Sequence, residues 1–289
     1  MKIKHFFDPD TFTLTYVVFD EKTKDAVVID PVLDFEQASG TVTDDSTKLV
    51  VDFIKQEGLQ LHAILETHAH ADHLSSSQVL KTLFPKAKIM ISEKIKHVQE
   101  VFKKHFNIDY LKTDASQFDK LLKDFETVEF GSLKLKAIPT PGHTPACMSF
   151  LMGDAVFTGD ALFMPDYGTG RCDFPKGSAK DLYASVVNNL YPLPDATRVF
   201  VGHDYSPGGR EMKFETTIGE SKKSNIQLKA STTETEFVSF REARDKTLKA
   251  PRLLLPSIQV NIDAGHLPPS EENGKSYLKL PLKPVLRLV

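Results

Sequence analysis

Seven residues constrain this chain more than any others: Thr67-His68-Ala69-His70-Ala71-Asp72-His73. Three histidines and a carboxylate are packed together here. They directly follow Leu-His-Ala-Ile-Leu-Glu-Thr-His, which reads as a strand ending at His68. Imidazole nitrogen and carboxylate oxygen are the donors that suit zinc and ferrous iron. In a loop leaving a strand, such spacing lets the side chains fan around one point. The bland alternative is a histidine-rich surface loop.

Three further places weigh against that alternative. Thr140-Pro141-Gly142-His143-Thr144, Gly159-Asp160 and Gly202-His203-Asp204 each follow apolar, β-type residues. Each carries a His or Asp beside a glycine, and glycine lets the chain turn sharply or approach a ligand closely. One such His alone is more often a core or surface residue. Four strand-end sites bearing ligand types point to one centre at a common sheet edge.

The rest of the pattern is that of an α/β protein. Residues 13–20 and 25–30 read as a hairpin of strands. Residues 46–57 read as a helix that stops at Gly58, and the segment opened by Ser75-Ser76-Ser77 as another. Residues 88–92 read as a strand, and the Lys-rich stretch 93–125 as surface helices. Strand signals return over 127–140, 147–153, 155–160 and 198–204. An amphipathic helix opened by Ser178 spans 178–190. From Ser206 the chain turns polar, helical over 233–249 and Pro-punctuated. The expected division is a catalytic domain at 1–205 and a C-terminal extension at 206–289 packed on that core.

Composition excludes several classes. With 40% hydrophobic and 26% charged residues the chain is not of the disordered type. No apolar run approaches a membrane span, and no secretory signal is visible. A net charge of -3 with no basic stripe argues against a nucleic-acid partner. Cys147 and Cys172 cannot form a disulfide framework and are expected as reduced thiols in a cytoplasmic setting.

The order HxHxDH, a single His, an Asp and then a His resembles the metallo-β-lactamase superfamily over about residues 10–205. The resemblance implies an αββα sandwich with the metal at one edge. Gly159–Pro175 and Gly202–Tyr205, with residues 217–226 and 255–269, look like its persulfide dioxygenase branch, including bacterial hydrolase-like members. That branch oxidises glutathione persulfide with O2 to sulfite and glutathione. The resemblance implies one Fe(II) per chain on His68, His143 and Asp160, a set of two histidines and one carboxylate. His70, Asp72, His73 and His203 then serve as hydrogen-bond partners around it. It also implies glutathione contacts at Arg171, Tyr205 and Asn261. Lys222 stands where the branch carries an Arg, keeping the charge but losing the fork.

The alternative is a zinc hydrolase of glutathione thioesters, similar to glyoxalase II, with one or two Zn(II) per chain. There His70, Asp72, His73 and His203 complete a two-metal site. Arg171 has a structural alternative in an ion pair with Asp173. Cys172 and Cys147 are expected as apolar filler, and His5, His62, His97, His105 and His266 as surface or structural residues. A homodimer is left open.

Overall fold

The computed structural model describes residues 1–282. Along the chain run β1 (Lys2–Asp8), β2 (Thr13–Phe19), β3 (Asp25–Ile29), β4 (Val32–Glu36) and β5 (Thr41–Thr43). Then come α1 (Asp45–Gln56), β6 (Gln60–Leu65), β7 (Leu74–Ser75), α2 (Ser77–Leu83), β8 (Lys88–Ser92), α3 (Ile95–Phe106) and β9 (Lys120–Leu122). The second half holds β10 (Thr127–Phe130), β11 (Leu133–Pro139), β12 (Met148–Met152), β13 (Ala155–Phe157), α4 (Ala179–Ser185) and β14 (Arg198–Phe200). It closes with β15 (Glu215–Thr217), α5 (Ile218–Ser224), α6 (Glu234–Asp245) and α7 (Leu254–Asn261).

Two six-stranded sheets result, β1-β2-β3-β6-β8-β9 and β10-β11-β12-β13-β14-β15. The first is antiparallel across β1, β2 and β3 and parallel from β3 to β9. The second is antiparallel except where β13 pairs with β14. Strand β2 shows why the sheets must be covered on both sides, since every one of its residues is buried. Leu14, Tyr16 and Val18 join Val27, Ile29, Phe150 and Phe157 between the sheets. Val17 and Phe19 point the other way, packing with Val50, Val51 and Ile54 of α1 and Ile95 and Val98 of α3. A strand buried on both faces reads as a near-continuous apolar run. Over the second sheet lie Leu182 of α4 and Phe237 of α6. The architecture is the αββα sandwich.

Several elements differ from the sequence expectation. Strand β6 ends at Leu65, so His68 lies in the loop beyond it. The stretch 93–125 holds one helix, α3, and then the edge strand β9, too short to show a period. Residues 127–140 form a hairpin that turns at Gly131 and Ser132. The helix opened by Ser178 is α-helical to Ser185 and continues as one π-type turn to Leu190. Its Ser178 Oγ accepts the Asp181 N–H, the cap that the sequence signals. Beyond residue 205, β15 adds a strand to the second sheet. Helix α6 opens with a capping box of Thr233 and Glu236. None of the described helices is long and apolar enough to cross a membrane.

Candidate metal centre

The ligand-type residues leave the ends of four strands on one edge of the sandwich. His68 to His73 fill the loop between β6 and β7, and His143 lies between β11 and β12. Asp160 follows β13 and His203 follows β14. Gly159 has φ +48°, and a Cβ there would lie 2.6 Å from Thr67 Oγ1. Only glycine lets the turn before Asp160 pack onto the loop that carries His68.

His68, His143 and Asp160 offer ligand atoms all within 4.8 Å of one another. His70, Asp72 and His203 form a second such set, and Asp30, Glu66 and His70 a third. Asp160 lies between the first two sets. Its Oδ2 is 3.5 Å from His143 Nε2 and its Oδ1 3.3 Å from His203 Nε2. His203 Nε2 is also 3.3 Å from Asp72 Oδ2. His73 belongs to none of the three sets, though its ring lies 4.2 Å from that of His70.

Hydrogen bonds aim the rings. His143 Nδ1 donates to the Arg171 carbonyl at 2.6 Å, leaving Nε2 on the site. His73 Nδ1 donates to the Leu74 carbonyl at 3.0 Å. Thr67 Oγ1 donates to Asp30 Oδ2 and so accepts from His68 Nδ1, 3.0 Å away. His70 Nε2 lies near two carboxylates, 3.0 Å from Asp30 Oδ1 and 3.6 Å from Glu66 Oε2, without a hydrogen bond to either. A carboxylate or carbonyl behind a ligating imidazole fixes its tautomer and raises its basicity.

What remains is a set of orphans. His68 Nε2, His70 Nδ1, His73 Nε2, His203 Nε2, Asp72 Oδ2 and Asp160 Oδ1 are buried without a hydrogen-bond partner. Unpaired buried polar atoms are costly, and a metal cation satisfies several at once. Electrostatics agree. Burial alone would lower the pKa of His203, but Asp72 and Asp160 push it up to about 9. Burial also opposes a charged His70, which Asp30 and Glu66 raise well above the ordinary histidine value. Burial raises the Asp160 carboxyl, yet His203 and His143 hold it well below the ordinary range. His68 is pushed well down and His73 down to about 4, both by burial first and His70 next. The raised histidines and the depressed Asp160 carboxyl mark a site whose carboxylates favour a positive charge beside them. A bound metal ion would supply that charge. The nitrogen and oxygen donors fit zinc or iron.

A cavity of about 390 Å³ opens on Asp72 and Asp160. Phe12, Tyr167 and Tyr205 line it, with Arg171, Arg244, Lys249 and Arg252 among its cations. Tyr205 stacks near Tyr167, ring centres 4.7 Å apart. Arg171 reaches the cavity but spends its fork on Asp173, at 2.5 and 2.6 Å, and its Nη1 on the Lys249 carbonyl. The ion-pair reading of Arg171 is therefore the observed geometry. Two residues that the resemblance places on the substrate lie elsewhere. Lys222 on α5 pairs with Asp195 at 2.6 Å. Asn261 is buried, with its amide fully engaged by backbone atoms of residues 70–75. Neither lines the cavity. Cys147 and Cys172 are buried in the core, their thiols pushed up by burial. His5 stacks on Phe214, His62 pairs with Asp25, and His97, His105 and His266 are exposed.

Asp30 and Glu66 were not singled out from sequence. The signal for Asp30 was an Asp-Pro step closing the strand Asp-Ala-Val-Val-Ile. For Glu66 it was a charge at the end of an apolar run, two residues before the first ligand. The cavity cations at 244–252 gave no pattern separable from an ordinary helix surface.

A family profile described as Metallo-beta-lactamase superfamily matches residues 8–203. "Glyoxylase B2" of Dictyostelium discoideum is 50% identical, over 97% of each chain. A "Beta-lactamase hydrolase-like protein" of Agrobacterium fabrum is 47% identical over 97% of this chain, which spans 64% of that relative's length. "Persulfide dioxygenase ETHE1, mitochondrial" of Bos taurus is 30% identical over 93% of this chain and 91% of its own. The crystal structure of ETHE1 from Myxococcus xanthus superposes with a TM-score of 0.74 at 32% identity, covering 92% of this chain and all of that one. The donor set, the sandwich and these similarities agree: the chain belongs to the metallo-β-lactamase superfamily.

Proposed function

We propose that the protein oxidises glutathione persulfide with O2, releasing sulfite and glutathione, and uses one ferrous ion held by His68, His143 and Asp160. The observation that carries this reading is the first ligand set. It groups two histidines and one carboxylate, the donor set of non-haem iron oxygenases. The similarity to persulfide dioxygenases over nearly the whole chain supports it. The ferrous ion supplies redox chemistry and open positions for substrate sulfur and O2.

The chain's own residues do the rest. The Arg171 carbonyl and Thr67 hold the rings of His143 and His68 in one tautomer. Asp72 and His203 place a carboxylate and an imidazole beside Asp160. Phe12, Tyr167 and Tyr205 wall the cavity and limit water. Arg244, Lys249 and Arg252 offer cations at its mouth to the carboxylates of glutathione. Lys222 pairs with Asp195 and does not line this cavity.

A second reading has its own observation. His70, Asp72 and His203 form a further set, with Asp160 between the two. That inventory suits a two-zinc hydrolase of glutathione thioesters, with the metals supplying Lewis acidity. Metal counting on anaerobically purified protein separates the two, run alongside O2 uptake with glutathione persulfide and cleavage of a glutathione thioester. One iron per chain with O2 uptake is expected. Two zinc ions, no O2 uptake and rapid thioester cleavage would replace the oxygenase reading with the hydrolase.

A further inference from the structure

The loop from Glu66 to His73 carries most of the centre's donors, yet it has no regular secondary structure between β6 and β7. Its backbone polar groups have no ladder to satisfy them and need other partners. One side chain supplies two and also holds the first residues beyond the loop. Asn261 Nδ2 donates to the carbonyls of His70 and His73, each at 2.8 Å, and its Oδ1 accepts the Ser75 N–H at 2.8 Å. Asn261 ends α7 and is separated from these partners by about 190 residues of chain. It is buried, so water offers no replacement.

We propose that Asn261 is a positioning residue for the metal loop, through which the C-terminal helix α7 sets the directions of His70, Asp72 and His73. The residue type matters. A carboxamide accepts once and donates twice in one plane, which Asp cannot do when ionised and Gln cannot do from the same Cα. Fixing the carbonyls on both sides of Asp72 fixes the Cα–Cβ directions between them. The helix does not depend on this contact for its seat. Gln99 Nε2 donates to the Ile262 carbonyl at 2.8 Å, and Gln78 Nε2 to the Ala264 carbonyl at 3.0 Å. Loosening the clip therefore costs ligand alignment more than fold. In the two-metal reading Asn261 positions ligands themselves, and in the one-iron reading it positions the neighbours of the ligand set.

The test measures zinc affinity of the full chain by competition with a chelating dye, and the thermal midpoint of the metal-free chain. Asn261→Ala is compared with Gln99→Ala, which loosens α7 without touching the loop. Asn261→Ala is expected to bind zinc about 10- to 100-fold more weakly, the range for losing a partner that orients ligands. Gln99→Ala should keep near wild-type affinity at a comparable loss of midpoint. Wild-type zinc affinity in Asn261→Ala overturns the proposal. So does an affinity loss that tracks the midpoint equally in both variants. Should Asn261→Ala not fold, Asn261→Ser removes both amide donors while keeping a hydroxyl oxygen and burying no charge. It is expected to fold metal-free and lose zinc on the same scale; wild-type affinity there, or failure of both variants to fold, rejects the role.

Discussion

The loop between β6 and β7 carries His68, His70, Asp72 and His73, whereas the second half gives one ligand per loop, His143, Asp160 and His203. The two regions hold their side chains by different means. The crowded loop is backed by other buried side chains: Asp30 through Thr67, Glu66 through Ser75 and Ser77, and Asn261. The solitary ligands lean on nearby backbone. His143 uses the Arg171 carbonyl, and Asp160 a glycine turn seated against Thr67. His203 is placed by its bridge to Thr13. A ligand that leaves a strand end inherits its place from the sheet. A loop without a ladder must obtain its place from other buried side chains.

The largest expected effect comes from the solitary side. Asp160 is the one carboxylate that touches both ligand sets. Asp160→Ala should remove bound metal and lower activity by more than the roughly 100-fold upper range for losing an outer partner. Metal content after gel filtration and turnover with both candidate substrates check this. Retention of a full metal complement would mean the loop alone holds the ion, and the contrast between the regions would fail.

Asp72→Ala is the matching change on the crowded side. With one iron on His68, His143 and Asp160, iron content should stay nearly intact and activity should fall about 10- to 100-fold. Asp72 would then act on its neighbour His203, 3.3 Å away. Loss of half the bound metal would instead mark Asp72 as a ligand, in favour of the two-metal hydrolase.

Legibility in the sequence follows the same contrast. HxHxDH is readable because its ligand types are adjacent. The solitary ligands were readable because each stands at the end of a β-type run beside a glycine or a Thr-Pro-Gly turn. The supports were not. Asn261 is an ordinary Asn at a helix end, and its partners are backbone atoms of distant residues, which leave no residue pattern. Glu66 looks like a surface charge until Ser75 and Ser77 close on it. The strands and helices of an α/β chain were visible in the apolar runs, whereas the sandwich was implied by the family resemblance that the HxHxDH order carries. Strand β9 was not, because three residues pairing with one neighbour carry too little period to separate from helix. That Lys222 pairs with Asp195 and Asn261 faces the metal loop was not legible, because correspondence along a chain does not say which way a side chain faces.

The smallest expected effect concerns a place where the two halves touch away from the metal, at the end of β3 opposite Asp30. Asp25 Oδ2 accepts the Ser132 N–H at 2.8 Å, and Oδ1 lies 2.6 Å from His62 Nε2. Gly131 turns over this carboxylate with φ +60°, where an added Cβ would fall 2.2 Å from it. The contact joins the first sheet to the β10–β11 hairpin of the second. The Ser132 N–H is the main cause that lowers the Asp25 pKa to about 2, with burial opposing. A depressed carboxyl binds its proton less readily folded than unfolded, so its stabilisation is present above the ordinary aspartate range near 4. It is lost as the pH falls through about 2. Metal-free wild type should therefore melt a few degrees above metal-free Asp25→Asn at neutral pH, and the gap should narrow between about pH 4 and pH 2. Asp160, also depressed, titrates in both proteins and cancels from the difference. A gap that stays constant over that window would show that the carboxylate charge does not stabilise the junction. The halves would then be joined here by packing and neutral hydrogen bonds, such as that between Thr23 and Ser132, as they are between the sheets, where Tyr16 donates to the Val201 carbonyl.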